Sequence, residues 1–383
     1  MGSYSTAELA KLINAPVVLI VDATKMTRTA AAAALGCKAL DPDLCIAGII
    51  LNRVANDRHE RVLRESIQDA TAIPVIGSVR KLALEGFPQR HLGLLPCAEH
   101  PGALAFVDQA AGVAEKFIDL EELVSVATGS GDLVPAGVAV VTDQGGSPAH
   151  SGLRIGILND CAFQFYYPEN LEALTRAGAH LIMISAMEPR DLPELDALYI
   201  GGGFPETNAE RLADNRVFKR SLLRAVKTGL PVYAECGGLM YLSSDLCIDD
   251  RTYPMVGVFP VDTVMHRKPQ GMGYVRVEAA SPNPFYPLGA VLTGHEFHYS
   301  TVAGLERTHV QCAFRVLRGH GIDGSRDGLF TENVLATYVH LHALGAPQWS
   351  AGLLRAAERF RSGLKAYDCE PGCSSERGQP PPP

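Results

Sequence analysis

The chain has 383 residues, a formal net charge of −8 and 47% hydrophobic residues, more than one ordinary hydrophobic core needs, so two domains are expected. Lys and Arg number 34 against 42 Asp and Glu, which argues against electrostatic capture of nucleic acid or an anionic membrane. No apolar run reaches the about 18 residues of a membrane span, and nine cysteines without CxxC spacing or a signal peptide fit a reducing cytoplasm better than a disulfide framework or zinc site.

In chain order, the first segment alternates apolar runs at 16–21, 46–51 and 73–76 with helical patterns at 27–36, 59–70 and 101–123. Continuous apolar strands separated by helices predict a parallel sheet covered on both faces, here part of a doubly wound domain over 1–123. Residues 124–151 turn to Gly, Ser, Ala, Pro and Thr and read as the interdomain linker.

A second α/β series spans 152–365, with strands at 154–158, 180–184, 197–200 and 231–234 and helices at 169–177 and 208–228. Shorter β-rich runs such as 273–277 follow, then a strand-like 334–339. The tail 366–383 is Pro-, Gly- and Ser-rich, ends in a proline run and carries Cys369 and Cys373, a composition that cannot bury a core and predicts disorder.

The run 231–241 reads as a buried strand, a sharp turn at Cys236 and a helix opening on Gly237 and Gly238, a nucleophile elbow with sulfur in place of oxygen. A helix N-terminus favours thiolate, and glycines let backbone N–H groups approach a developing oxyanion. Most unpaired cysteines are small buried hydrophobes, and the other eight keep that reading. A thiol nucleophile needs a base, and the strand-like 334–339 delivers His340, with His342 as a support. Gly201-Gly-Gly-Phe-Pro205 follows another strand, expected two strands from Cys236. Gly202 or Gly203 would give the oxyanion a backbone N–H donor, against the alternative of a tight turn without chemistry.

The segments Asp160-Cys-Ala-Phe-Gln-Phe-Tyr-Tyr-Pro-Glu-Asn170, Gly201-Gly-Gly-Phe-Pro-Glu206, Ala234-Glu-Cys-Gly-Gly238, Gly294-His-Glu-Phe-His-Tyr-Ser300 and Tyr338-Val-His-Leu-His342 together resemble the class I glutamine amidotransferase domain of the cobyrinic acid a,c-diamide synthases. The first domain is similar to the later part of that family's dethiobiotin-synthetase-like ATP domain, through the motifs at 5–12, 50–54 and 91–94. The implied fold is a partial P-loop NTPase-like parallel sheet followed by a flavodoxin-like α/β amidotransferase domain. The implied activity is amidation of the a and c carboxylates of cobyrinate or hydrogenobyrinate, with glutamine hydrolysed at Cys236 and ATP with Mg²⁺ activating the acceptor.

The resemblance also suggests roles for further residues. Asn52 would meet adenine and Asp22 a nucleotide-bound Mg²⁺, although a turn Asn and a structural Asp are the plainer readings. Tyr166, Tyr167, Glu169 and Asn170 would lie near the corrin, or form an ordinary strand-to-helix turn. Glu296 is a supporting candidate, and no metal site is read.

Two departures stand out. No G-x-x-x-x-G-K-[ST] occurs, so the phosphate cradle is missing and the chain reads as lacking its N-terminal P-loop segment, with a separate P-loop-bearing polypeptide as one source. Class I glutaminases place a Glu two residues after the base, where this chain has His342, so the orienting third group is unassigned. Three other readings stay open: a related acceptor such as cobyric acid, nickel-sirohydrochlorin or a cell-wall precursor; an accessory chain without ATP activity; and a Cys-type ester hydrolase.

Overall fold

A computed structural model of the chain describes residues 5–82, 102–129 and 150–363. The 91–94 motif, Pro101, most of the expected linker and the tail with Cys369 and Cys373 lie outside the described residues. The chain divides into two compact units, Met1–Thr142 and Asp143–Pro383.

In the first unit α1 (Thr6–Leu12) precedes β1 (Val17–Asp22), α2 (Arg28–Leu40), β2 (Ile46–Val54), α3 (Asp57–Thr71), β3 (Val75–Arg80), α4 (Ala103–Phe117) and α5 (Leu120–Thr128). The strands pair in parallel in the order β1-β2-β3. Helix α3 begins where the Asn56 side chain accepts from the His59 N–H, carries Asp57 and Glu60 in its first turn, and buries Leu63, Ile67 and Thr71 at a spacing of four. One continuous helix over 101–123 is expected; the structure instead breaks it at Ile118. Ile118 bridges to Gly77, and Asp119 caps a new helix by accepting from the Glu122 N–H. That helix takes over the first residues assigned to the linker.

The second unit runs β4 (Arg154–Leu158), β5 (Phe163–Phe165), α6 (Pro168–Arg176), β6 (His180–Ile184), β7 (Ala197–Ile200), β8 (Gly202–Gly203), α7 (Ala209–Asp214), α8 (Arg216–Lys227), β9 (Val232–Glu235) and α9 (Gly237–Leu242). Then come β10 (Asp245–Ile248), β11 (Arg251–Pro254), β12 (Asp262–Met265), β13 (Gly271–Ala279), β14 (Val291–His298), β15 (Ser300–Ala303), β16 (Gln311–Arg318), β17 (Arg326–Phe330), β18 (Val334–Thr337) and α10 (Gln348–Arg361). A nine-stranded sheet of order β14-β13-β16-β17-β18-β9-β7-β4-β6 forms the backbone of this unit. From β18 to β6 the neighbours are parallel, whereas β14 to β18 pair antiparallel.

Side chains alternate across the parallel part. Leu198, Ile200, Val232 and Ala234 join one apolar cluster, while Ala197, Tyr199 and Tyr233 join the other with Trp349 of α10. Both faces are therefore buried, which accounts for uninterrupted apolar strands instead of alternating ones. The helix expected over 208–228 is two helices. Asn215 ends α7 and caps α8 by accepting from the Phe218 N–H, while its Nδ2 donates to the carbonyls of Ala186 and Glu188 at 2.6 and 2.8 Å. Those bonds outbid the helical continuation that periodicity suggests.

Candidate active site

Three parallel neighbours, β7, β9 and β18, end on the same edge of the sheet. The glycine loop follows the first, Cys236 the second and His340 the third. This corrects the expected spacing, since β7 and β9 are directly paired. The C-terminal edge of a parallel sheet is where α/β folds gather catalytic groups.

Cys236 adopts φ 48 and ψ −97, a left-handed conformation costing about 1–3 kcal/mol in a non-glycine residue. Its N–H donates to the Thr337 carbonyl at 2.7 Å and its carbonyl accepts from the Met240 N–H at 3.1 Å, which holds the strained turn. A Cβ on Gly238 would lie 2.7 Å from the Ile200 carbonyl oxygen, and one on Gly237 would lie 3.1 Å from the Gly203 nitrogen. A side chain at 238 would thus force the backbone apart, and one at 237 would crowd the glycine loop.

His340 is placed by backbone pairing beyond β18. Its N–H donates to the His295 carbonyl at 2.8 Å and its carbonyl accepts from the His295 N–H at 3.1 Å. The bridge needs Gly294, where a Cβ would sit 2.2 Å from the His340 carbonyl oxygen. The two imidazoles stack with centroids 4.9 Å apart and planes 15° apart. Burial alone would lower the His340 pKa, but the neighbouring Cys236 and Glu235 outweigh it and hold the value well above the usual range. The charged form of the His340 ring is therefore favoured. His295 goes the other way: burial, with the His340 charge next, pushes it down to about 4, so it is neutral at pH 7.

The residues expected around this pair divide sharply. Gly202 abuts His340, since a Cβ there would lie 2.6 Å from its Cε1. Gly203 pairs with Phe163 and Gly202 with Phe165 in the short β5–β8 ladder, which aligns the loop beside Gly237. His342 does not orient His340. Its Nε2 lies 3.4 Å from Glu169 Oε2, its Nδ1 accepts from the Leu344 N–H, and its ring packs 4.6 Å from that of Tyr167. Glu296 is buried and accepts from the N–H groups of His320 and Gly321 at 2.6 and 2.7 Å.

Of the four residues expected near the acceptor, two are consumed by the scaffold. The Tyr166 hydroxyl donates to the Leu158 carbonyl and accepts from the Gly201 N–H, so it anchors the glycine loop. Asn170 is fully buried; its Nδ2 donates to the Leu341 carbonyl at 2.8 Å and its Oδ1 accepts from the Ala343 N–H at 2.7 Å. It clamps the chain just past His340. Tyr167 and Glu169 stay half-exposed, with the Tyr167 hydroxyl 3.2 Å from His295 Nδ1.

Sequence reasoning passed over Glu235. This last residue of β9 is 1% exposed, and its Oε2 lies 3.6 Å from His340 Nδ1. The Tyr199 hydroxyl donates to the same oxygen at 2.9 Å, and the Leu341 N–H reaches Oε1 at 3.4 Å. A carboxylate at the innermost end of an otherwise apolar strand was the available signal, because buried acids need partners.

In the other unit, Asp22 and Asn52 are register partners at the ends of β1 and β2. Asp22 already accepts from the N–H and hydroxyl of Thr24 and faces Arg53 Nη1 at 3.1 Å, while Asn52 Oδ1 accepts from the Arg53 N–H. A single, already paired carboxylate does not by itself fit Mg²⁺ and a triphosphate. Among the described residues, no group of three His, Cys, Asp or Glu could hold a metal ion, and no helix is long and apolar enough to cross a membrane.

Residues 154–348 match the CobB/CobQ-like glutamine amidotransferase domain. A cobyrinate a,c-diamide synthase of Magnetococcus marinus is 40% identical over 359 residues, covering 92% of this chain and 76% of its own. Proteins of the same name from Methanothermobacter thermautotrophicus and Listeria innocua are 40% and 36% identical, each covering 93% of this chain and 77% of their own.

Proposed function

The chain belongs to the cobyrinate a,c-diamide synthase family, and on that premise we propose that it amidates the a and c carboxylates of cobyrinate or hydrogenobyrinate in cobalamin biosynthesis. Glutamine supplies the nitrogen through a Cys236 thioester, and ATP with Mg²⁺ is the co-substrate that the family implies. The observation carrying the glutaminase half is the convergence of Cys236, His340 and the loop at Gly202 and Gly203 on one sheet edge.

In this reading the Cys236 thiolate attacks the glutamine carboxamide carbon, and the backbone N–H groups of Gly203, or Gly202, and Gly237 stabilise the tetrahedral oxyanion. As that intermediate collapses, the C–N bond breaks and the His340 imidazolium passes its proton to the departing nitrogen. Ammonia leaves and a glutamyl thioester remains. The now neutral His340 takes a proton from water, the hydroxide adds to the thioester, and collapse releases glutamate and restores the thiolate–imidazolium pair. Such a thiol must stay unoxidised, which suits a reducing cytoplasm. No step through ATP follows from Asp22 or Asn52. Tyr167 and Glu169 remain the candidates for a face that meets substrate.

Glutamate release from glutamine is the test, measured for the wild type and Cys236→Ala with and without ATP, Mg²⁺ and cobyrinate. The wild type should hydrolyse glutamine, and the variant should lose at least about a thousand-fold in rate. Equal rates in the two proteins would end the Cys236 assignment. Amide formation on cobyrinate reads the acceptor separately.

A further inference from the structure

We infer that Glu235 is the positioning residue of His340, holding the base from the position directly before the nucleophile. Glutaminases of this class take that acid from two residues beyond the histidine, where this chain carries His342 turned toward Glu169. The inference rests on the glutaminase reading of Cys236 and His340, and deepens it.

Four observations carry it. First, position 235 is the register partner of Thr337 across the parallel β9–β18 pair, so the strand end that carries the carboxylate lies beside the one that runs on to His340. Second, Glu235 Oε2 faces the Nδ1 side of the imidazole at 3.6 Å, leaving Nε2 to serve Cys236. Third, the carboxylate does not need His340 to be tolerated as a buried group, because Tyr199 and the Leu341 N–H already donate to it. Those donors fix its orientation before the histidine arrives, which is what a group that orients another must have. Fourth, the alternatives are spent elsewhere: Glu296 on the turn at His320 and Gly321, and His342 on Glu169.

Two consequences follow. An acid on Nδ1 fixes the tautomer, so that Nε2 is the nitrogen that exchanges a proton with sulfur and with the leaving ammonia. The negative charge also stabilises the imidazolium and, through it, the thiolate. The device links nucleophile and orienting acid through one peptide bond, so the strained turn at Cys236 and the carboxylate are fixed by the same strand end.

The test is Glu235→Gln, which keeps size and removes charge. We expect kcat for glutamine hydrolysis to fall about 100-fold. Its alkaline limb, where His340 loses the proton owed to ammonia, should move to lower pH by about one unit or more. Iodoacetamide alkylation of Cys236 at pH 7 should slow about ten-fold, because less thiolate is held by the imidazolium. A folded variant with an unmoved alkaline limb and an unchanged alkylation rate overturns the assignment, whether or not kcat falls, since a merely structural role would shift neither. Should the variant fail to fold, ¹⁵N-histidine spectra of the wild type, followed upward in pH until His340 turns neutral, decide: a remaining proton on Nδ1 supports the inference, and one left on Nε2 overturns it. Alkylation needs no glutamine. A wild type that alkylates with the expected Glu235 dependence yet does not hydrolyse glutamine would sink the proposed reaction and leave the positioning role standing.

Discussion

At the level of single residues, the site is built by exclusion as much as by contact. Gly202 is the clearest case, because an alanine there keeps an accessible backbone but drives its methyl into His340 Cε1. The ring must shift, and displacement of about 1 Å at a reacting group costs about 100-fold in rate. Gly202→Ala should therefore lose about 100-fold in glutamine hydrolysis while its urea midpoint stays close to wild type; an active variant would show that the base tolerates a different seat. The strand-end placement of Cys236 and His340 was legible in the sequence because each follows an apolar run, and Cys236 is followed by glycines that suit a tight elbow. Glu235 was not, since a lone carboxylate has no periodicity and its partners Tyr199 and Leu341 come from segments distant in sequence. For Tyr166 and Asn170 the alternative of a strand-to-helix turn fits their hydrogen bonds, which end on backbone.

Between strands and helices, the start of α6 ties the catalytic loops together. Tyr166 holds Gly201, and Asn170 holds Leu341 and Ala343. Asn170→Ala removes two bonds and leaves a buried carbonyl and N–H unpaired, a loss of about 2–4 kcal/mol. Chemical denaturation should show that loss, accompanied by a fall in glutamine hydrolysis greater than the unfolded fraction explains, because the released segment carries His340. A variant as stable as wild type would mean that water replaces the amide. Helix boundaries were the least legible elements. The breaks at Ile118 and Asn215 depend on a bridge to Gly77 and on the carbonyls of Ala186 and Glu188, none of which a local apolar pattern contains. The antiparallel strands β13, β14 and β16 were seen at most as short β-rich runs, because exposed positions interrupt their buried ones and leave weaker patterns than in β4, β7 and β9.

At the scale of the whole molecule, alternating α/β character was legible because a parallel sheet buried on both faces writes long apolar runs into the chain. The stability of the second unit should carry an unusual pH signature, set by buried groups that pull in opposite directions. Asp327 is fully buried, and burial, only partly offset by hydrogen bonds from Gly328, Tyr338 and Thr337, pushes its pKa from 3.8 up to about 6. A raised folded value means that its contribution is fully present below pH 3.8 and is lost as pH rises through 6. His295 has a lowered value of about 4 against 6.5 when unfolded, so its contribution is present above pH 6.5 and is lost as pH falls through 4. Between pH 4 and 6 the two oppose each other. Asp327→Asn keeps the acceptor for Gly328 and Tyr338 and removes the buried charge, so at pH 7.5 it should stabilise the unit by an amount on the order of 2 kcal/mol. Toward pH 4 that advantage should shrink to nothing, leaving the His295 penalty unopposed and the variant's unfolding midpoint falling more steeply than that of wild type. Trp349 is the single tryptophan of the chain and is buried against Tyr199 and Tyr233, so its fluorescence follows this unit alone. Parallel midpoint-versus-pH curves for the two proteins would show that Asp327 titrates as it does in the unfolded chain.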